Sequence, residues 1–276
     1  ATPVTVTGIT NAIAVGAGST DPIEQRAHTC ATRTDGTAAC WGYNLNGQLG
    51  DGTTTSSSTP VTVTGITDAT TITTGDGHSC ARRSGGTISC WGRNNAAPGE
   101  LGDGTTTSSS TPVTVTGITD AAAVDVGGAH SCARRADGSL RCWGWNYYGQ
   151  LGNGVIVRAT TPVAVADISD ATAVTGGHQQ TCAVRGAGSA SCWGYNAYGQ
   201  VGDGTTADRF APVSVNGLAN GATRVGVTAT FTTTTSHFLS VGMTVQIAGV
   251  GVADLPLAIA APRALPDYIQ TRPDAR

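Results

Sequence analysis

Short apolar segments separated by polar and glycine-rich turns recur along most of this chain. Thr-Pro-Val-Thr-Val at residues 2–6 and an apolar segment at residues 12–16 are followed by two short segments that each contain one cysteine. No stretch has the apolar spacing of an amphipathic helix. Each period of about fifty residues therefore supplies four strand candidates, which is typical of a blade of a β-propeller.

Cysteines mark the period. The first cysteines of four successive copies lie 50, 52 and 50 residues apart, which is in the range of propeller blades and solenoid repeats. Each second cysteine opens the motif Cys-Trp-Gly-x-Asn. The sequence predicts an all-β propeller of four-stranded blades in residues 1–225, with four clear blades near residues 3–50, 60–102, 112–152 and 162–202.

The pattern changes after Gly217, where no further cysteine or Trp-Gly motif occurs. Residues 212–250 are interpreted as a degenerate fifth blade or a separate β module. Residues 251–276 are interpreted as a Pro-rich extended tail. The ring is therefore either closed by the degenerate blade or incomplete.

Each cysteine pair is predicted to lie across a β-hairpin. If Cys132 and Cys142 are directly opposed, the loop is Ala136, Asp137 and Gly138, and glycine suits the left-handed last position. Opposed residues have Cα atoms about 4.5–5.5 Å apart, within reach of a disulfide. Zinc sites favour closer cysteine spacing, which leaves reduced thiols as the main alternative. The predicted disulfides are Cys30–Cys40, Cys80–Cys90, Cys132–Cys142 and Cys182–Cys192.

The tryptophan after each second cysteine is predicted to be structural. Strand alternation sends it to the face opposite the disulfide, where a large aromatic side chain can pack between blades. This prediction covers Trp41, Trp91, Trp143 and Trp193.

Composition narrows the classes of partner and the compartment. Charged residues make up 12% of the chain and the net charge is −3, which argues against a nucleic-acid-binding surface. No apolar run approaches the ~20 residues of a membrane-spanning helix. Paired cysteines indicate an oxidising compartment, so we expect a secreted or cell-surface protein. The chain begins in mid-repeat, which suggests a mature or excised fragment.

The remaining candidate chemistry favours structural roles. A histidine stands shortly before the first cysteine of each copy: His28, His78, His130 and His178. These histidines could ring the axis and bind a metal, but one histidine per blade better fits a bond to a backbone group in its own blade. The Asp of the Gly-Asp-Gly loops, which recurs as Asp51, Asp103 and Asp203 and is Asn153 in the third copy, fits turn chemistry better than calcium binding. No Gly-x-Ser-x-Gly elbow or carboxylate pair singles out an active site. We expect no metal and no cofactor, the catalytic residues are unknown, and a hydrolase is the least favoured function.

The sequence motifs of the repeat resemble those of a known family. Gly-x-x-His-Ser-Cys-Ala, then Asp-Gly, then Trp-Gly-x-Asn-x-x-Gly-Gln-Leu-Gly-Asp-Gly, then Thr-Pro-Val is similar to the repeat of the regulator-of-chromosome-condensation family, over about residues 1–225. The resemblance implies a propeller of blades of about fifty residues, commonly seven in number. The paired cysteines depart from the nuclear members and look like a secreted bacterial variant. The exchange-factor activity of the nuclear protein does not carry over, because its contact residues are not recognisable here.

Variable positions inside the constant motif predict a binding face. The residue after Trp-Gly and two neighbouring places vary between copies and lie in loops that a propeller would gather on one face. Tyr, Trp and Arg are enriched at interface hot spots. The candidate binding residues are Tyr43, Arg93, Trp145, Tyr147, Tyr148, Tyr195 and Tyr198, with Trp145, Tyr147 and Tyr148 at the centre. The alternative is that these side chains simply cover neighbouring loops.

Two functions follow from this architecture. The first is a secreted or cell-surface interaction module that binds a protein or a glycan through these loops. The second is a structural surface or filament protein. In this case copies of the chain associate with one another, and their stacked repeats act as a rigid spacer.

Overall fold

The described part of the chain consists of strands and turns. A computed structural model describes residues 3–18, 27–95 and 99–218, and in these ranges sixteen strands form four antiparallel sheets of four strands. The first sheet contains β1 (Ala12–Ala17), β2 (His28–Arg33), β3 (Ala38–Gly42) and β4 (Ser57–Thr62). The second contains β5 (Ala69–Thr74), β6 (His78–Arg83), β7 (Ile88–Gly92) and β8 (Ser109–Thr114). The third contains β9 (Ala121–Val126), β10 (His130–Arg135), β11 (Leu140–Gly144) and β12 (Ala159–Ala164). The fourth contains β13 (Ala171–Gly176), β14 (Gln180–Arg185), β15 (Ala190–Gly194) and β16 (Arg209–Ser214).

The four sheets are successive blades of a propeller. Strands adjacent in sequence are adjacent in each sheet. The first strand of each blade packs against the first strand of the next, β1 on β5, β5 on β9 and β9 on β13, so these strands are the innermost ones. The predicted fold class, an all-β propeller with four-stranded blades, is confirmed.

The blades begin and end later than the repeat pattern predicts. The Thr-Pro-Val strands are the fourth, outer strands of the preceding blade, because they pair with its second cysteine strand, as in Cys40↔Val61. The blades therefore span residues 12–62, 69–114, 121–164 and 171–214 instead of beginning near residues 3, 60, 112 and 162. The first Thr-Pro-Val segment, expected as a strand, is irregular over residues 3–6. The predicted fifth blade or β module at residues 212–250 overlaps the last strand of the fourth blade, β16, at its start. Its residues from 219 onward, and the predicted tail at 251–276, lie outside the described residues.

The cysteine hairpin has the predicted register. Cys132 lies directly opposite Cys142, and the loop between the strands ends at Gly138, whose φ of 82° is left-handed. The structure contains the disulfides Cys30–Cys40, Cys80–Cys90, Cys132–Cys142 and Cys182–Cys192, with Cα atoms 4.0–4.1 Å apart. Each blade is thereby cross-linked between its two middle strands.

Successive blades share apolar cores made from the disulfide of one blade and the tryptophan of the next. The core between the second and third blades contains Cys80, Cys90 and Leu101 from one side and Trp143 from the other. The indole Nε1 of Trp143 donates to the Glu100 carbonyl at 2.9 Å. Trp91, Trp143 and Trp193 are fully buried, which confirms the prediction for these three. Trp41, in the first blade, is only partly buried.

Buried histidines tie neighbouring blades together. His78 Nε2 lies 2.9 Å from Ser131 Oγ in the next blade, and this hydroxyl donates to the Glu100 carbonyl. Because its proton is directed to the carbonyl, the hydroxyl accepts from His78 Nε2–H. The same link joins His28 to Ser79 and His130 to Thr181. The expectation of a backbone bond within the same blade was wrong, since each partner is a side chain about fifty residues further along.

Candidate functional site

The loops that carry the candidate binding residues open on one face of the propeller. In an antiparallel sheet the second strand begins where the first and the third strands end. The connection between the first two strands and the loop after the third strand therefore lie together at one edge of each blade. The Trp145 backbone N–H donates to the Ala129 carbonyl at 2.9 Å, which joins these two segments in the third blade.

The constant glycine after each tryptophan directs the chain onto this face. Gly144 has a φ of 101°, and a Cβ there would lie 2.8 Å from the Ala129 carbonyl oxygen. A side chain at this position is excluded both by the left-handed backbone and by the close approach. The following residue, Trp145, is consequently placed at the rim of the blade.

The constant asparagine holds the loop from within. The Asn146 side chain donates to the carbonyls of Val155 at 2.8 Å and Val157 at 3.0 Å, and accepts from the Leu151 N–H at 2.9 Å. Asn146 is fully buried. Its neighbours in sequence, Trp145 and Tyr147, are the ones that vary between repeats, so each blade presents different side chains on the same loop frame.

Five aromatic side chains of the third and fourth blades form a continuous series, which we name the aromatic row. Ring centroids are 6.2 Å apart for Trp145–Tyr147 and 5.1 Å for Tyr147–Tyr148. The row crosses to the fourth blade at Tyr148–Tyr195, 4.8 Å, and ends at Tyr195–Tyr198, 6.2 Å. Tyr147 is 64% exposed and Tyr198 86% exposed. The row therefore packs against itself while leaving two rings largely open to solvent.

A pocket of about 300 Å³ adjoins the start of the aromatic row. Trp145 and Tyr148 form its aromatic wall. Its polar lining comes from the second blade, with Asp76 and Arg93, and from the fourth blade, with His178 and Gln179. The small Ala129 of the third blade completes the lining.

The charged side chains of the pocket are bonded to partners within the protein. The Arg93 guanidinium donates two hydrogen bonds to Glu100 Oε1, at 2.7 and 3.0 Å, and Glu100 is fully buried. Burial raises the pKa of the Glu100 carboxyl, and the charge of Arg93 acts in the opposite direction. His178 Nε2 lies 3.0 Å from Asp76 Oδ2, which links the fourth blade to the second. The pocket thus contains both donors and acceptors.

The structure brings most of the sequence-predicted binding residues together. Trp145, Tyr147, Tyr148, Tyr195 and Tyr198 make up the aromatic row, and Arg93 lines the pocket with Trp145 and Tyr148. Tyr43 lies on the corresponding loop of the first blade and is not among the described residues that line the pocket. Whether these residues bind a partner stays a prediction.

Sequence reasoning missed part of the polar lining. Asp76 and Gln179 lie in the short connections between the first two strands of their blades, where no motif marks them, and His178 was considered only as one of the repeated histidines. Glu100 carried a usable signal, because it replaces the glutamine of the Gly-Gln-Leu-Gly motif in the one repeat that has Arg after Trp-Gly. A second missed feature is Val155, Ile156 and Val157, 49–67% exposed, where two other repeats have three threonines.

The aspartates of the Gly-Asp-Gly loops have structural roles in turns. Asp51 Oδ1 accepts from the backbone N–H and hydroxyl of Thr53 at 3.0 and 2.9 Å, and Asp103 and Asp203 repeat this arrangement. These carboxylates therefore shape their loops, as turn chemistry predicted. Among the residues described, no group of three or more His, Cys, Asp or Glu could hold a metal ion. These residues also contain no helix that is long and apolar enough to cross a membrane.

Comparison with family models gives one consistent result. A model described as the regulator of chromosome condensation (RCC1) repeat matches residues 35–82, 137–184 and 188–233, which is more than half of the chain. A second model with the same description matches residues 69–96 and 121–150. Together the matched segments contain the cysteine hairpins of the second and third blades and all four Trp-Gly motifs.

Three solved structures have the same fold. Prp20p from Saccharomyces cerevisiae is 19% identical with a TM-score of 0.66, covering 78% of this chain and 53% of Prp20p. Yeast RCC1 (Prp20) bound to Kap60 is 20% identical with a TM-score of 0.59, covering 68% of this chain and 46% of the other. Human WBSCR16 is 19% identical with a TM-score of 0.60, covering 68% of this chain and 50% of the other.

These similarities establish the propeller fold of the chain. The chain spans about half the length of each of these solved structures. No curated protein matches the sequence significantly.

Proposed function

This chain belongs to the regulator of chromosome condensation (RCC1) repeat family, and we propose that it is a protein-interaction module that works outside the reducing cytosol. The propeller supplies a rigid frame, and the partner binds on the face formed by the loops after the third strands. The single observation that carries this proposal is the aromatic row, with Tyr147 and Tyr198 largely exposed on adjacent blades.

The composition of this face supports a protein partner. Tyrosine and tryptophan offer large, rigid contact areas at a low cost in conformational entropy, and both are enriched at hot spots. The loop that carries Tyr147 also exposes Val155, Ile156 and Val157. Several exposed apolar side chains on one loop are typical of interaction sites.

Relatives with the same fold are recorded in complexes with proteins. Yeast RCC1 (Prp20) is known in a structure bound to Kap60, and Prp20p has been characterised for binding to Gsp1p and histones. At about 20% identity these cases support the use of this scaffold for protein binding and say nothing about the partner of this chain.

The disulfides support a secreted or cell-surface location. Four hairpin disulfides with no free cysteine among the described residues are typical of an oxidising compartment. The aromatic row would then face partners in the medium or on a neighbouring surface.

Replacing the two exposed tyrosines is expected to abolish capture of the partner. The Tyr147→Ser/Tyr198→Ser double variant should lose at least 90% of the partner retained by the wild-type chain, because truncating aromatic anchors costs several kcal/mol of binding, each ~1.4 kcal/mol being tenfold. Immobilised wild-type and variant chains would be exposed to medium and surface extract of the source cells. Quantitative mass spectrometry would identify proteins retained by the wild type, and the affinity of the purified partner would then be measured.

The first blade offers a matched control. Leu45 occupies the position of Tyr147 in the first repeat and is also 64% exposed. Leu45→Ser should retain the partner at the wild-type level. Equal retention by the tyrosine double variant would contradict the proposal. Concentration-dependent filaments without a separate partner would favour the structural alternative.

A further inference from the structure

We infer that the pocket beside the aromatic row binds a neutral sugar ring, so that the partner is recognised partly through a glycan. This inference rests on the proposed function, because it names the chemistry of the partner at the same face. It is carried by three features of the pocket: its aromatic wall, its paired charges and its size.

The wall of the pocket suits the apolar side of a sugar. Trp145 and Tyr148 line the pocket and are partly buried, so their rings are held in place while part of their surface is open to a ligand. A pyranose ring presents C–H groups on its faces, and these groups pack favourably on the electron-rich face of an aromatic ring. Three further rings of the row, Tyr147, Tyr195 and Tyr198, would allow a longer glycan to extend from Trp145 toward Tyr198.

The charges of the pocket favour a neutral ligand. The Arg93 guanidinium would repel a cationic ligand, and the Asp76 carboxylate would repel an anionic one. Both groups are already engaged, Arg93 with Glu100 at 2.7 Å and Asp76 with His178 at 3.0 Å. A ligand charge of either sign would therefore meet one repulsive group and compete with an existing pair.

The hydrogen-bonding groups of the pocket suit hydroxyls. Asp76 supplies an acceptor at Oδ2, beside His178, Arg93 supplies donors, and the Gln179 amide supplies both. A sugar hydroxyl is donor and acceptor at once, so adjacent hydroxyls can use this mixture without leaving a buried polar group unpaired. The volume of about 300 Å³ is at the small end of ligand pockets, appropriate to one or two sugar rings.

The test is a titration of the purified chain with defined probes. Methyl α-D-glucopyranoside, methyl α-D-mannopyranoside, methyl α-D-galactopyranoside and N-acetylglucosamine would each be followed by saturation-transfer NMR and calorimetry. At least one should bind saturably, with Trp145→Ala and Asp76→Asn each weakening it at least tenfold. Asp76→Asn keeps the size of the side chain, so its effect does not depend on packing. Leu45→Ala should bind like the wild type.

Several results would overturn the inference. These are no saturable binding by any of the four sugars, binding unchanged in Trp145→Ala, or preferential binding of N-acetyl-arginine amide or inorganic phosphate in the pocket. The proposed function fails separately. If the tyrosine double variant loses its protein partner while no sugar binds, only the sugar inference falls; if sugars bind while that variant keeps its partner, only the protein-binding face is misplaced.

Discussion

Trp143→Ala is expected to lower the free energy of unfolding by about 3–5 kcal/mol, the range for truncating a fully buried aromatic side chain. Trp143 belongs to the third blade but packs in a core with the Cys80–Cys90 disulfide and Leu101 of the second. Its removal leaves a cavity at a blade interface, and in repeat proteins such interfaces carry much of the cooperativity. The Glu100 carbonyl keeps its bond from Ser131, so the loss arises mainly from packing. Urea unfolding followed by circular dichroism would measure it.

The first blade provides the comparison for this prediction. Trp41 has the same place in its repeat but is only partly buried. Trp41→Ala should therefore cost less than Trp143→Ala, below about 3 kcal/mol. Equal losses for the two variants would show that tryptophan contributes within its own blade, against the shared interblade core described above.

Acid is expected to destabilise the propeller steeply below about pH 6.5. Burial lowers the pKa of His28 and of His130 to about 4, with the charge of Asp76 opposing the effect in both, and places the pKa of His78 well below its ordinary value. The unfolded chain, with histidine pKa values near 6.5, then binds protons that the folded chain does not. The part of the free energy of unfolding that depends on neutral histidines is therefore fully present above about pH 6.5 and is lost as the pH falls toward 4. For His28 and His130, the difference between the folded and unfolded pKa values corresponds to about 3 kcal/mol each at pH 4.

The environment of these rings explains the direction of the change. Nδ1 of His28, His78 and His130 is buried, with no hydrogen-bond partner in the described part of the chain. A second ring proton would therefore place a charged donor where no acceptor is available, which is costly in an apolar interior. The Nε2–H groups are already used in the links between blades.

One variant separates the histidines from the carboxylates, which also titrate in acid. His130→Gln removes a titrating group and keeps a side-chain amide that can reach Thr181. Its stability should fall less than that of the wild type between pH 7 and pH 4, by about 3 kcal/mol. Urea unfolding at pH steps across this window would give both curves, and parallel curves would assign the acid sensitivity to other groups.

The cysteine hairpin was predictable from sequence because its geometry is local. Nine residues between the cysteines, with a glycine four places before the second cysteine, leave one register for an antiparallel pair. The structure has that register in all four blades, as in Cys132↔Cys142. Strand alternation likewise predicted that Trp143 and its disulfide face opposite sides of the sheet.

The pairing of the Thr-Pro-Val strand was not predictable in the same way. A strand between two hairpins can pair with the strand before it or begin the blade after it, and periodicity is identical in both cases. Only the contact of Val61 with Cys40 decides the question. The cross-blade links of His78 and its counterparts were missed for a related reason, because they join equivalent positions of neighbouring repeats.

The contacts of the candidate site are the part of the structure that the sequence predicts least. Tyr147 and Tyr198 could be proposed from residue type and variability alone, since both lie in loops of known direction. The pair of Asp76 and His178 joins residues 102 positions apart in blades that are not neighbours. Such a contact depends on the curvature of the ring, which no local pattern encodes.

Side-chain footprinting of the complex tests the central claim most directly. Hydroxyl-radical oxidation of each residue would be compared between the free chain and the chain saturated with its purified partner. We expect Tyr147 and Tyr198 to become protected, while Leu45, equally placed in the first blade, is oxidised as before. Unchanged oxidation of both tyrosines, with protection elsewhere on the propeller, would contradict the assignment of the aromatic row as the binding face.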